Sequence, residues 1–458
     1  MNTRKDILLN AFTMNCVGHI NHGLWTHPRD RSHEYTRLDY WIETARILEE
    51  GLFDAVFIAD IIGVYDVYRN SIDLTARESI QLPVNDPTLL VPAMAAATRH
   101  LGFGVTVNVA VEHPYTFARR VSTLDHLTNG RVGWNVVTGY LDSAARAVGQ
   151  AAMAEHDARY DRADDYLDLL YKLWETSWED GAVRRDRAAR LYADPGKIHP
   201  IRHDGPFYAS QGYHLAEPSP QRTPVLYQAG TSGRGQRFAA RHAECVFIMA
   251  SDPESARKTS RQLREAVVAA GRRPDDIRIL AGLTVVTGET DAVAADRLAE
   301  YLAYANPEAG LAHFASGSGI DFSRYGLDDA ITYGPTNGIQ STTAAARQRR
   351  LTKRQLLDGL ALGGRYPLIV GSGESVAAEM QRWVEEGEID GFNLTRTVAP
   401  ESWRDFIRWV VPALQERGLY KTAYREGTLR RRIFGEGDHL PERHRGRQLR
   451  EAARIAAA

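Results

Sequence analysis

The order of short apolar segments and helical stretches in this 458-residue chain predicts a (β/α)8 barrel with insertions, a TIM barrel. Three observations carry the prediction. Eight β-branched, apolar runs read as strands buried on both faces, helical patterns lie between them, and the alternation breaks at three places that each follow a strand. An open, doubly wound sheet is the alternative that the same alternation allows.

The strands are expected at 7–13 (ILLNAFT), 55–59 (AVFIA), 102–108 (GFGVTVN), 132–138 (VGWNVVT), 225–230 (VLYQAG), 245–250 (CVFIMA), 277–288 and 391–395 (GFNLT). Helical periodicity is clear over 40–51, 155–175, 253–270, 291–304 and 376–386. In the second of these Tyr160, Ala163, Leu167, Leu170, Tyr171 and Trp174 share one stripe, so this helix should pack on a large partner surface. The alternation fails over about 61–87, 140–224 and 304–367. These become insertions at the carboxyl ends of the strands, where barrel enzymes build their sites. The Gly-, Ser- and Thr-rich stretch 315–350 reads as a lid or as a solvated loop. The whole chain is then one elaborated domain. Its tail, 425–458, carries nine arginines against five acidic residues, and is expected to be a solvated or subunit-packing arm.

Bulk properties exclude several classes. A net charge of −2 gives no electrostatic reason to expect nucleic acid or an anionic membrane. Two cysteines, Cys16 and Cys245, cannot make a disulfide framework or a cysteine metal cluster, and a reducing cytoplasm suits them. No apolar run approaches the length of a membrane span, and MNTRKDILLNAF lacks a signal-peptide core.

The site begins with AGTSGRG, residues 229–235, where a strand runs into a helix start. Backbone NH groups, the hydroxyls of Thr231 and Ser232, and close approach allowed by Gly230 make a cradle for phosphate oxygens, although an ordinary capped helix start has the same look. The segment lacks the lysine of a triphosphate loop and the spacing of a dinucleotide fingerprint. His156 and Tyr160, four residues apart, leave one face of their helix and can donate to the same oxygen cluster. The plainer reading makes His156 a cap and Tyr160 core. Asp60, Asn108, Asn135 and Thr138 put polar groups at three strand ends, suited to the edge of a ring bearing carbonyls and NH groups. Phe12 stands ready to pack on such a ring. Cys16 and His19 follow it in the loop where a substrate would arrive. His113 and His313 add imidazoles, but no carboxylate–histidine spacing supports a metal.

The segments NAFTMNCVGHINHGLWTHP, FDAVFIADIIGVYDVYR, EHPYTFARRVSTLDHLTNGRVGWNVVT, EHDARYDRADDYL, EPSPQRTPVLYQAGTSGRG and IDGFNL together resemble the bacterial-luciferase-like flavin monooxygenases. The similarity is to the branch of nitrilotriacetate, dibenzothiophene-sulfone, long-chain alkane and dimethyl-sulfide monooxygenases. The resemblance implies a barrel, usually a homodimer or homotetramer, that receives reduced FMN (FMNH2) from a separate NAD(P)H-dependent flavin reductase. Dioxygen then reacts to a flavin C4a-hydroperoxide that oxygenates a small apolar compound.

Carried over by position, the flavin contacts are Phe12, Asp60, Asn108, Asn135, Thr138, His156, Tyr160, Thr231 and Ser232. The substrate-side residues are Cys16, His19, Tyr65, Gln81 and His313. Tyr140 stands where the alkane-type members carry a histidine; the dimethyl-sulfide type shares the tyrosine, and its lid is similar to YGLDDAI (325–331) and NGIQS (337–341). Thioethers, alkanes, sulfones and haloaromatics all stay open as substrates. An F420-dependent oxidoreductase of the same superfamily and a non-catalytic flavin-binding subunit are the other readings. Among candidates for steering the oxygen chemistry, His313 and Tyr140 come first, with His19 in support.

Overall fold

The computed structural model describes residues 6–230, 232–333 and 351–457, with side chains to residue 452. Eight parallel strands close into a barrel: β1 (Leu8–Met14), β2 (Ala55–Ala59), β3 (Gly102–Asn108), β4 (Val132–Val137), β5 (Val225–Gln228), β6 (Cys245–Ile248), β7 (Arg278–Gly288) and β8 (Gly391–Thr395). Each pairs with the next, and β8 closes on β1 with Leu8 opposite Gly391. Closure rules out the open doubly wound sheet.

Phe12, Phe57, Tyr227, Phe247 and Leu280 fill the interior, while a larger apolar shell joins the outward residues to the surrounding helices. Small residues make room for that filling. A Cβ on Gly133 would stand 2.4 Å from the Tyr227 ring, and one on Gly282 would stand 2.1 Å from Tyr366. Helix starts are capped as their composition suggests. Asp252 and Ser255 form a capping box on Pro253–Ala269, and Thr290, Asn306 and Ser372 cap Asp291–Tyr304, Pro307–Ser318 and Gly373–Gly387.

Several boundaries differ from the sequence expectation. β4 ends at Val137 because the chain turns away through Gly139 at φ 76°, and β5 ends at Gln228, so Thr138 and Gly230 lie just past their strands. The helix expected over 155–175 is α-helical over His156–Tyr171 and finishes as a π-helical turn, Lys172–Thr176. Two hairpins inside 140–224 went unforeseen: Val183–Asp186 with Leu191–Ala193, and Ile201–Asp204 with Ala209–Gly212. Their charged, half-exposed residues show no apolar alternation. A ninth parallel strand, Leu368–Ser372, extends along β7 beyond the barrel, with Thr284 opposite Leu368. Between β7 and the barrel helix Gly373–Gly387 the added structure thus runs past both ends of the expected 304–367 insertion. Residues 315–318 belong to the buried helix Pro307–Ser318 rather than to a lid. Thr231 and 334–350, including NGIQS, lie outside the described residues.

The tail is the main correction. Instead of a solvated arm, residues 425–452 pack on the chain's own barrel and close its amino-terminal end. Thr428 caps the short helix Leu429–Phe434, whose Leu429 and Ile433 join the interior cluster. Arg430, 2% exposed, grips both carboxylate oxygens of Glu244 at 2.7 and 2.8 Å and donates to the carbonyls of Thr223, Pro224 and Asp438. Farther on, Arg445 pairs with Asp168 and Arg450 with Asp180. Much of the excess of arginine is paired with carboxylates and carbonyls of the same chain, from buried Glu244 to exposed Asp180.

No described helix is long and apolar enough to cross a membrane.

Candidate active site

The carboxyl ends of β1 to β5 open into one cavity, walled above by the insertions. Phe12, Asp60, Asn108, Thr138, Tyr140, His156, Tyr160, Gly230 and Ser232 all line it, as do His19, Tyr65, Gln81 and His313. Residues from five strands and from the connections after β1, β2, β4, β5 and β7 therefore converge.

One pole is polar and built by two remote segments. Ser232 caps the helix Gly233–His242, accepting from Gly235 N at 3.0 Å, and its Oγ lies 3.3 Å from Nε2 of His156. The Nδ1 of His156 is held by Asp157 Oδ1 at 2.7 Å. Gly230 lets the turn meet the helix: a Cβ there would stand 2.6 Å from the Tyr160 hydroxyl and 2.4 Å from Gln228 Nε2. Burial raises the Tyr160 phenol above its ordinary value, so it is a hydrogen-bond donor at neutral pH. Arg159, one turn along from His156 and buried, also faces the cavity. Hydroxyl, imidazole, phenol and guanidinium at a helix start suit a phosphate.

The strand ends form the floor. Asn135 is not on the wall; its Nδ2 donates to Thr106 Oγ1 at 3.0 Å from just beneath it, leaving Oδ1 without a partner among the described residues. Gln228 Oε1 is likewise buried and unsatisfied. Buried acceptors of this kind fit a ring edge that carries NH groups. Asn108 accepts from Ala110 N at 2.9 Å, and its Nδ2 needs Gly139, whose Cβ would come within 2.8 Å.

Burial, assisted by the Asp86 charge, pushes the Asp60 carboxyl up to about 7. Its fold therefore holds a proton more tightly than the unfolded chain, in which the carboxyl titrates at 3.8. Stability from this group is full below the unfolded value and is lost as pH climbs toward 7. Asp60→Asn is expected to raise stability at pH 8 by on the order of 1–3 kcal/mol, with the difference shrinking at pH 4. Thermal unfolding at the two pH values checks this, and an equal midpoint at pH 8 contradicts it.

The other pole is aromatic and closed. Tyr65 OH donates to Gln81 Oε1 at 2.7 Å and lies 3.2 Å from Tyr140 OH, and Gln81 Nε2 donates to His19 O at 2.9 Å. Gln81 reaches this place because the loop after β1 and the first insertion zip together. Gln81 N donates to Gly18 O, and a Cβ on Gly18 would collide with Ser79 O at 2.3 Å. Ser79 and Gln81 both take left-handed backbone, φ 50° and 51°. His19 packs edge-on against Phe12, ring centroids 4.5 Å apart. His313 sits 4.8 Å from the Tyr65 ring, with its Nδ1 3.1 Å from Nε2 of His22. Desolvation, then the neighbouring cations and imidazoles, holds His19 and His313 well below the ordinary imidazole range and His22 at about 3. All three rings are neutral.

Cys16 does not reach the cavity. It is 1% exposed behind the wall, its thiol donating to Gly18 O at 3.1 Å, and burial pushes the thiol up to about 12. A thiol of that kind is inert as a nucleophile, so its position on the backbone rather than its chemistry is what the site uses. His113 caps the helix Pro114–Leu127 and takes no part. No group of three or more metal-type ligands occurs among the described residues.

The sequence reading missed His22, Arg159, Arg365 and Tyr366. Arg159 had a signal, being three residues from His156 on the same helix. His22 had one too, in the HINH spacing. Arg365 and Tyr366 sit more than 340 residues from Phe12, and only folding brings them to its cavity.

A family model for luciferase-like monooxygenases matches residues 20–389. The chain is 50% identical over 441 residues to the long-chain alkane monooxygenase of Geobacillus thermodenitrificans, covering 96% of this chain and 97% of that one. It is 46% identical to the dimethyl-sulfide monooxygenase of Hyphomicrobium sulfonivorans, covering 98% and 95%. A solved riboflavin lyase, crystallised with modified FMN and riboflavin, superposes with a TM-score of 0.92 at 38% identity, covering 97% of this chain and 100% of that one.

Proposed function

The chain belongs to the luciferase-like monooxygenase family, and from that premise we propose a two-component enzyme that takes FMNH2 from a separate NAD(P)H-dependent flavin reductase and uses dioxygen to oxygenate a small apolar compound. The observation that carries this reading is the meeting of His156 and Ser232 at one end of a cavity whose other end is aromatic. Together the ends suit a phosphate at one pole and an apolar guest at the other. The chain has no dinucleotide fingerprint of its own, in keeping with electrons supplied from outside.

When bound, reduced FMN supplies the electrons and the ring at which dioxygen is activated. Every other part falls to the protein. Ser232, His156, Tyr160 and Arg159 would hold the phosphate, with Thr231, the residue before Ser232 in the chain, as a further donor; Asp60, Asn108 and Thr138 would serve the ring edge, with Asn135 behind them bonded to Thr106, and Phe12 would pack against the ring. Ile61, Ile62, Tyr65 and Tyr140 give the substrate an apolar wall and keep water away from the reacting atoms. His313, Tyr140 and His19 offer neutral donors there, suited to hold or pass a proton at neutral pH. Thioethers, alkanes, sulfones and haloaromatics are the compounds this wall would accept.

The test supplies a flavin reductase, NAD(P)H and oxygen-18-labelled dioxygen to the protein with a panel of those compounds, read by mass spectrometry. One labelled oxygen in a product supports the reading; peroxide as the sole product across the panel favours a non-catalytic flavin carrier. His313→Ala should bind FMN as the parent does but slow oxygen transfer by roughly 100-fold or more, the size of a lost acid–base group, and lower product per flavin oxidised accordingly. An unchanged yield would remove His313 from the chemistry.

A further inference from the structure

We propose that His22 is a positioning residue that fixes His313 in the tautomer with its proton on Nε2, so that His313 offers an N–H donor to the cavity. His22 is 2% exposed, and its Nε2 lies 3.1 Å from His313 Nδ1 with the rings at 81°. A neutral imidazole carries one N–H, so one proton sits between these two nitrogens and it has two possible owners. If His313 Nδ1 owned it, His22 Nε2 would accept, and the His22 proton would move to its Nδ1. That atom is buried and has no partner among the described residues. A buried N–H without an acceptor is rarer and costlier than an acceptor left unfilled. The proton therefore belongs to His22 Nε2. His313 Nδ1 accepts it, and its remaining nitrogen, Nε2, bears the proton toward the cavity that His313 lines.

The neighbouring attachments hold this geometry from both sides. Asn21 accepts from Gly363 N at 2.6 Å and donates to Arg396 O at 2.6 Å. The carbonyl of His22 itself accepts from Asn306 N at 2.9 Å, and Asn306 caps the helix that carries His313. Gly23, at φ 90°, makes that contact possible, since a Cβ there would stand 2.5 Å from Asn306 N and Tyr304 O. His22 and Gly23 thus join the first loop to the start of the His313 helix, and Asn21 ties the same loop to Gly363 and Arg396. The charged and titratable groups that act on the pair are Arg365, Arg396 and His19. Both arginines favour neutral rings, so neither histidine carries a second proton that would blur the assignment.

The consequence for oxygen transfer rests on the proposed function, whereas the tautomer itself does not. Neutron diffraction from deuterium-exchanged crystals of the flavin-free protein should show nuclear density for deuterium on His22 Nε2 and His313 Nε2. Deuterium on His22 Nδ1 or His313 Nδ1 overturns the proposal, whatever any variant does. In the reductase-coupled assay, His22→Leu should lower product per FMNH2 oxidised about fivefold, with hydrogen peroxide making up the difference and FMN affinity unchanged. His22→Gln, whose amide can still donate, should recover more than half of the yield. Equal yields in all three proteins, or equal loss in the two variants, would refute the donor role. A panel that gives no product with the parent protein defeats the proposed function, while the neutron result still decides the tautomer.

Discussion

Replacing His156 by alanine is expected to raise the Kd for FMN by about 10- to 100-fold and to leave the Kd for riboflavin unchanged. The imidazole is poised by two contacts, Asp157 Oδ1 on Nδ1 and Ser232 Oγ on Nε2. A phosphate entering beside Ser232 can accept a hydrogen bond from the His156 imidazole, a bond to a charged group worth about 1.5–3 kcal/mol. Each ~1.4 kcal/mol is a factor of ten in Kd. Riboflavin has the ring and the ribityl chain but no phosphate, so its affinity does not register the loss. Titration of the oxidised flavins by fluorescence quenching gives both constants. A parallel loss for riboflavin would mean that His156 supports the fold of the cavity rather than the phosphate, and no loss for FMN would move the phosphate elsewhere.

Arg430→Ala should destabilise the protein by about 3–5 kcal/mol, the cost of stripping one partner from a buried ion pair. Glu244 is itself buried, and one of its carboxylate oxygens accepts from Leu226 N at 3.0 Å. Without Arg430 that charge loses its hydrogen-bonded ion-pair partner, and the carbonyls of Thr223, Pro224 and Asp438 lose a donor as well. The floor of the barrel loosens where Leu429 and Ile433 meet its interior cluster. A urea transition or thermal scan reads the change, and FMN affinity at low temperature should hold because the flavin pole lies at the other end of the strands. Were the tail a solvated arm, the same substitution would stay within roughly 0.5 kcal/mol.

These two sites differ in how far the chain's pattern announced them. His156 with Ser232 was legible because each half carries a local signature: a helix with two donors at i, i+4, and a strand that runs into a glycine-rich helix start. The tail was not. TLRRRIF reads as a solvated run, and Leu429 and Ile433, four residues apart, are too few to mark a buried face before the barrel they enter is known. Cys16 failed for a related reason. Its loop does reach the cavity through His19, but whether the next-but-two side chain points in or behind depends on the bridge between Cys16 and Val84. The strand Leu368–Ser372 escaped because it lies close behind an expected insertion and pairs only with the overhanging end of β7.

Periodicity and local turn chemistry were enough to establish eight barrel strands, the face on which the insertions gather, and the capped helix start at Ser232, because each depends on residues within a helical turn or a strand of one another. The neutral His22–His313 pair, the Tyr65–Gln81–Tyr140 chain, the exclusion of Cys16 and the arginine-sealed floor were settled by the folded chain alone. Each is a contact between segments dozens to hundreds of residues apart, and the direction of a side chain, the desolvation around it and the identity of its partner are properties of the packed neighbourhood rather than of the residue.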